Sequence, residues 1–434
     1  MDPLGPLAET VSPPAFSFPD NLRFECTRCG DCCRGWRILL GPGELERLSA
    51  LDWNGRVDRL VETKIVEGVS SHRGSHNVLA RRPDGACVFL GAENQCQIHE
   101  HFGGEAKPLV CRLFPFGFLP VGDRIAVDVS FACRSISAGI GAPVSDRVPE
   151  WSKLAFDVDL EQGQRLYRFS KKYHVQGGLL WELEHEILGL VSDSSMSMFE
   201  RVRAVAEFMR LGTTSDPRTD AARTLRQVMA KGIPKQIRER PAEGGMDKTQ
   251  RAIFFHLMFL LLNPTPPELY RASGKARQKE VARRVQAANG YKFGKARPWL
   301  ENRELTESYA SVDAVRPGYL LSDSGDRLFE QYLSAKILGQ RFLREGEGEL
   351  PFVEAVPRLL VLYPMLLWTA KALASERGAK DVIEDDARGA LRLLDRSYGE
   401  VRLSELPTKQ RKAWQFVFME TGLETAATID MLGA

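Results

Sequence analysis

Phe24 to Trp36 reads FECTRCGDCCRGW and places Cys26, Cys29, Cys32 and Cys33 within eight residues. Thiols this dense are cross-linked, hold a metal, or are unrelated buried residues. Cys26-x2-Cys29-x2-Cys32 can converge on one centre, because each two-residue spacer folds back as a chelating turn. Gly30 suits such a turn, since glycine accepts positive φ without steric cost. Cys33 is the informative extra. Adjacent residues seldom aim both side chains at one point, so Cys32 and Cys33 are expected to serve different metals or opposite sides of a cluster. Cys87, Cys96, Cys111 and Cys133 complete the set of eight, and the chain beyond Ser135 carries none.

Eight thiolates could fill two four-cysteine sites, as zinc or as a cluster plus another site, or hold one four-iron cluster with thiols to spare. Sulfur ligation favours zinc or iron–sulfur over magnesium or calcium. His99, three residues after Cys96, could replace a thiolate or simply stand beside the site. His72 and His76 have HxxxH spacing, but the glycine in SSHRGSH disfavours the helix that would align them. Arg28, Arg34, Arg112 and Arg134 each lie next to a cysteine or within two residues of one. Cations there stabilise thiolates; they could equally anchor a carboxylate- or phosphate-bearing ligand. Arg34 and Arg112 are the candidate cofactor contacts, and charge compensation is the favoured reading.

Those residues need a scaffold, and 434 residues suffice for two or three domains. Lys plus Arg number 59 against 57 Asp plus Glu, so overall charge favours neither nucleic acid nor an anionic membrane. The start, MDPLGPLAETVSPPAFSFPD, lacks an apolar h-region and reads as a loose arm over 1–20. The apolar runs Ala252 to Leu262 and Leu359 to Trp368 are interrupted by His256 and Pro364. Both fall short of the ~20 residues of a membrane span, so buried helices are expected. A cytoplasmic location is expected, and in a reducing compartment clustered cysteines bind metal rather than pair as disulfides.

Residues 21–138, with CVFLG, VCRLFPFGFLP and RIAVDVSFAC, read as loops and short strands whose folding leans on metal. A Gly/Pro-rich linker, 139–150, leads to a body over 151–434, with a sub-boundary near 320, where apolar residues recur at helical spacing. Helices are expected over WSKLAFDVDLEQGQRLYRFSKKY, SMFERVRAVAEFMRLG, AARTLRQVMAKG, RAIFFHLMFLLLN, KARQKEVARRVQAANG and DRLFEQYLSAKILGQRFL. Further ones cover EAVPRLLVLYPMLLWTAKALA, DVIEDDARGALRLLDRSYGEV and KQRKAWQFVFMETGL. Gly212 and Gly232 are the expected C-caps, and PTPP a stop. The expected fold is mainly α: a small irregular loop/short-strand metal-binding cysteine module followed by a large multi-helix body.

CTRCGDCC, CVFL and CQIHEHFGGEAKPLVCRLFPF together resemble the CxxCxxCC cysteine-cluster proteins described as zinc- or iron-chelating. In the last block the matching residues are Cys96, Ile98, His99, Pro108, Cys111, Arg112, Phe114 and Pro115. Chain length and the segment FEQYLSAKILGQRF look like the family's flagellin lysine N-methylase branch. The resemblance implies a 4Fe-4S iron–sulfur cluster, S-adenosylmethionine, and methyl transfer to a lysine-bearing, flagellin-like protein substrate. It carries over the cysteines, with Pro108 and Arg112 as motif neighbours, and no catalytic residue.

The residues themselves add little to methyl transfer. The nearest glycine-rich turn, Gly139-Ile-Gly141, leads into Ala142-Pro143 rather than opening a helix after a strand. A CxxxCxxC triad is missing too. If S-adenosylmethionine binds, the expected place is an iron left open by incomplete thiolate ligation. Three classes stand: an iron–sulfur enzyme acting on a protein lysine, a zinc-stabilised protein-binding module without catalysis, and an electron carrier, which so large a helical body disfavours. Glu384, Asp385 and Asp386 could meet a lysine side chain or form a solvated helix face. The basic stretch Lys275 to Arg284 lacks the interleaved aromatics of a nucleic-acid patch.

Overall fold

The computed structural model describes residues 15–36, 38–53, 66–71, 74–121, 124–154, 166–212, 216–239, 248–263, 273–345 and 348–398. They form two units. One is Leu22–Gly117 with Val129–Pro143; the other is made of the described residues of Met1–Asn21, Phe118–Asp128 and Val144–Ala434. The chain is mainly α, with short strands and a cysteine-rich N-terminal region, as the sequence predicts. The interleaving differs from the continuous 21–138 module expected above. Residues 118–128 leave it to join the helical unit.

The helical unit is built around the helix Phe352–Glu376, almost every residue of which is buried. It packs against the helices Glu384–Tyr398, Met198–Gly212 and Tyr309–Asp313. By length and composition it could cross a membrane, yet its entire apolar window is buried in protein. Pro364 does not end it. An interior proline costs ~3 kcal/mol, and burying each large apolar neighbour returns ~1.5–3 kcal/mol. The same reasoning corrects the expected cap at Gly232. Helix Asp220–Glu239 runs through Gly232 and Pro234, because Ala222, Arg226, Ile233 and Ile237 keep one face buried.

Other expectations shift as well. The helix expected from Trp151 to Tyr173 is present only as Val148–Leu154. Residues 155–165 lie outside the described residues, and Tyr167–Arg168 pairs antiparallel with His174–Val175. Buried Tyr167 and Phe169 flank exposed Arg168, the period-two pattern of a strand. Helix Gly177–Val191 was not anticipated, because its glycines mask the buried spacing of Leu180, Leu183, Ile187 and Leu190. Ala15–Ser17, within the expected loose arm, is a strand running parallel to Arg124–Val129. KQRKAWQFVFMETGL and PTPP lie outside the described residues.

Several charged side chains are buried in the helical unit, and one of them has two carboxylate partners. Lys336, on helix Asp323–Gly339, is buried, with its Nζ 2.7 Å from Asp395 and 3.4 Å from Asp128. Burial alone would depress the lysine pKa; the two carboxylates outweigh it and hold Lys336 above its ordinary value. Gly339 lies against the Asp128 backbone where a Cβ would collide. One turn on, Gln340 Nε2 donates to buried Glu184 Oε1 at 2.5 Å.

Candidate metal centre

All eight cysteines lie in the smaller unit, and all are free thiols. One apolar cluster in it joins Leu48, Leu79, Ala80, Val88, Phe89 and Ile98, with Trp53, Cys87 and Cys96 packed against it, and Phe24, Phe116, Phe131 and Ile136 are buried as well. Short elements carry the thiols. Cys32 and Cys33 sit in the five-residue helix Asp31–Gly35, entered through Gly30 at φ 76°. Cys96 and Cys133 are the N-cap residues of Gln97–Phe102 and Arg134–Ala138, and Cys111 lies in Leu109–Leu113.

Backbone bonds stitch the two cysteine groups together. The Cys87 N–H donates to the Cys33 carbonyl at 2.8 Å. Arg81 Nη1 donates to the Arg34 carbonyl at 3.0 Å, and Arg34 Nη1 to Asn94 Oδ1 at 3.0 Å. Ser135 Oγ donates to the Glu25 carbonyl, and Arg134 pairs with Asp31 at 3.2 Å. The buried carboxylate of Glu44 accepts from the Leu109 N–H at 2.6 Å and the Gly41 N–H at 2.7 Å. It thereby satisfies an orphan donor at the start of the helix that holds Cys111.

The thiols act on one another electrostatically. Cys32 is faced by Cys29, Cys111 and Cys133, while Cys87, Cys96 and Cys111 form a second group. Cys32 Sγ lies 3.9 Å from Cys33 Sγ. Cys26 is exposed. Among the described residues no three Cys, His, Asp or Glu side chains yet converge closely enough to hold an ion. The contact with Cys33, and then burial, push the Cys32 thiol well up; burial first, and then neighbouring thiols, do the same for Cys111, and burial is the largest cause that raises Cys29. Burial lifts Cys87 and Cys133 to about 11.

Against that, donors already point at the sulfurs. The Asp31 N–H is directed at Cys29, the Phe89 N–H at Cys87, and the Ser135 and Ile136 N–H groups at Cys133. Lys107 faces both Cys32 and Cys111, Arg134 faces Cys29, and Arg81 and Arg82 face Cys87. Such donors stabilise a thiolate far more than a thiol. The donor set therefore fits a cation that takes thiolates, which is what zinc and iron do.

Of the arginines singled out by sequence, Arg134 lies against a thiol. Arg112 pairs with Glu105 at 2.5 Å, Arg34 bonds Asn94, and Arg28 is exposed. His99 is exposed on its helix; His76 lies in strand Gly74–Leu79, and His72 lies outside the described residues. Sequence reasoning missed Lys107, Arg81, Arg82 and Glu44. Only Lys107 carried a signal, four residues before Cys111 in the same block.

Residues 25–132 match the family model CxxCxxCC, described as "Putative zinc- or iron-chelating domain". Cys133 stands one residue past its end. The protein named "Uncharacterized protein MJ0939" from Methanocaldococcus jannaschii is 30% identical over 195 residues. That match spans 43% of this chain and 65% of the relative, just under two thirds of its length. No solved structure matches the chain. The family match and the thiol geometry together support metal chelation by the segment that carries the cysteines, with zinc and iron both within its description.

Proposed function

We propose that the smaller unit is a thiolate metal centre holding zinc or iron, and that the ion assembles the unit. The observation that carries this is the gathering of four cysteine-bearing segments in one unit as electrostatic neighbours, each with backbone N–H or cationic groups facing sulfur. A bound ion would displace the thiol protons to solvent and leave thiolates, which carry the negative charge those donors are aimed at. Eight free thiols suit a reducing, cytoplasmic setting.

A finer reading adds catalysis: an iron–sulfur cluster and S-adenosylmethionine-dependent methylation of a protein lysine, the activity implied by the resemblance. What favours it is the surplus of thiols over the four that one tetrahedral ion needs. The alternative is a zinc-stabilised module that binds a protein partner without catalysis.

Anaerobic purification followed by iron, sulfide and zinc analysis and visible absorption separates these readings. Stoichiometric zinc or iron supports the metal centre, and iron with matching sulfide supports the cluster. Protein that neither retains metal nor takes up zinc or ferrous ion in titration overturns both.

A further inference from the structure

We infer that Glu184 is held in the fold as a neutral carboxylic acid, and that its pairing with Gln340 is a proton-dependent latch between the helix Gly177–Val191 and the C-terminal end of Asp323–Gly339. The two helices pack together within the helical unit. Glu184 is 1% exposed and Gln340 0%, so bulk water serves neither group. Gln340 Nε2 donates to Glu184 Oε1 at 2.5 Å, yet Glu184 Oε2 and Gln340 Oε1 have no hydrogen-bond partner among the described residues. A carboxylate oxygen and an amide carbonyl are both acceptors, and neither can satisfy the other. One proton on Oε2 changes that. The acid then donates to Gln340 Oε1, and the pair closes with a bond in each direction.

The charged groups around this helix are engaged elsewhere. From helix Asp220–Glu239, Arg223 and Arg226 pair with Glu182 and Glu186. Arg201, on Met198–Gly212, goes to Glu330 and the Val191 carbonyl. On Asp323–Gly339, Lys336 goes to Asp128 and Asp395, and Asp326 accepts from the Met198 N–H. Arg124, from the strand Arg124–Val129, is the cation that acts on Glu184; it favours the carboxylate, and burial outweighs it. A strained turn delivers the amide. Gln340 follows its helix at φ 52°, the left-handed region that favours glycine. Such a residue persists where its surroundings over-determine it, and the buried contact with Glu184 is one of those constraints.

The test uses the full chain as the native protein, Glu184→Gln and Gln340→Met. Infrared difference spectra, native minus Glu184→Gln, should show one protonated-carboxyl band at pH ~6, where an ordinary glutamate is ionised. Glu184→Gln keeps a bond in each direction without a titrating proton, so hydrogen exchange in both helices should match the native protein in acid. A carboxyl favoured in its neutral form contributes fully below the ordinary carboxylate range, and that contribution is lost as pH rises through the folded-state value. Above it, the native protein should exchange faster than Glu184→Gln in both helices, by on the order of tenfold. Gln340→Met should show the faster exchange already in acid. Absence of the carboxyl band overturns the inference. So does a native-to-Glu184→Gln exchange ratio that is the same at every pH, or a Glu184→Gln variant that exchanges faster than the native protein in acid. Should Gln340→Met fail to fold, the infrared band and the Glu184→Gln ratio decide.

Discussion

Around Phe352–Glu376 the chain buries a continuous apolar helix among other helices, with Leu359, Leu360, Leu366 and Trp368 all enclosed. Around Phe89 the smaller unit gathers one cluster of six buried apolar residues, with others such as Phe116 and Phe131 buried elsewhere in it, among short helices, turns and half-buried thiols. The first arrangement can stand on hydrophobic burial, at ~25 cal/mol per Å² of apolar area. The second orders many loop residues as well, each at a cost of ~1–2 kcal/mol of backbone entropy. Polar groups mark the same contrast. In the helical unit the buried charge of Lys336 is matched by Asp128 and Asp395. In the thiol unit, N–H groups and cations surround sulfurs that stay neutral until a metal arrives. One unit is complete as a polypeptide; the other is a ligand set.

The largest expected effect breaks the comparison on the thiol side. Removing metal with a chelator should unfold or loosen that unit, because thiolate–zinc binding contributes ~10–16 kcal/mol to small zinc domains. Hydrogen exchange should accelerate across Leu22–Gly117 and Val129–Pro143 while Phe352–Glu376 stays protected. Equal protection with and without chelator would refute the distinction.

The reciprocal break is Lys336→Met. It strands two buried carboxylates and should cost the helical unit ~3–5 kcal/mol in denaturant unfolding. Metal content should not change.

Glu44→Ala should sharpen the contrast from within the thiol unit. Losing the acceptor of the Leu109 N–H leaves a donor unsatisfied, at ~1–3 kcal/mol. The loss should appear as weaker zinc binding in titration, with the unfolding of the helical unit unaltered.

Smaller effects come from pH, with opposite signs for zinc binding and for the folded units without metal. Cys87 and Cys133 titrate near 11 without metal, so at neutral pH both are protonated and zinc must displace their protons. Zinc affinity should therefore rise with pH, with protons released in calorimetric titrations run in two buffers of different ionisation enthalpy. The metal-free thiol unit behaves oppositely. Its raised thiols favour the folded state below the ordinary cysteine range, and that contribution fades as pH climbs toward about 11. Burial holds Glu184 well above the ordinary carboxylate range. Its contribution is present in acid and is lost as pH rises through the folded-state value. Glu184→Gln should flatten the pH dependence of helical-unit stability.

Much of this was legible before any coordinates. Cysteine type, number and spacing pointed to metal, because thiol chemistry belongs to the residues wherever they fold. Helical periodicity found most of the long helices, since an apolar stripe at three- and four-residue spacing is a local pattern. Local signals failed where burial overrode them: Gly232, the expected cap, lies inside a helix, and the glycine-flanked helix Gly177–Val191 was hidden. Tertiary structure alone brought Glu44 under Leu109, Lys107 toward Cys32 and Cys111, and the Cys87 N–H onto the Cys33 carbonyl. It also turned the Cys32 and Cys33 sulfurs toward each other. Sequence determines which atoms can bind a metal. Which of them share one ion depends on distances between segments far apart in the chain, and no local spacing encodes those.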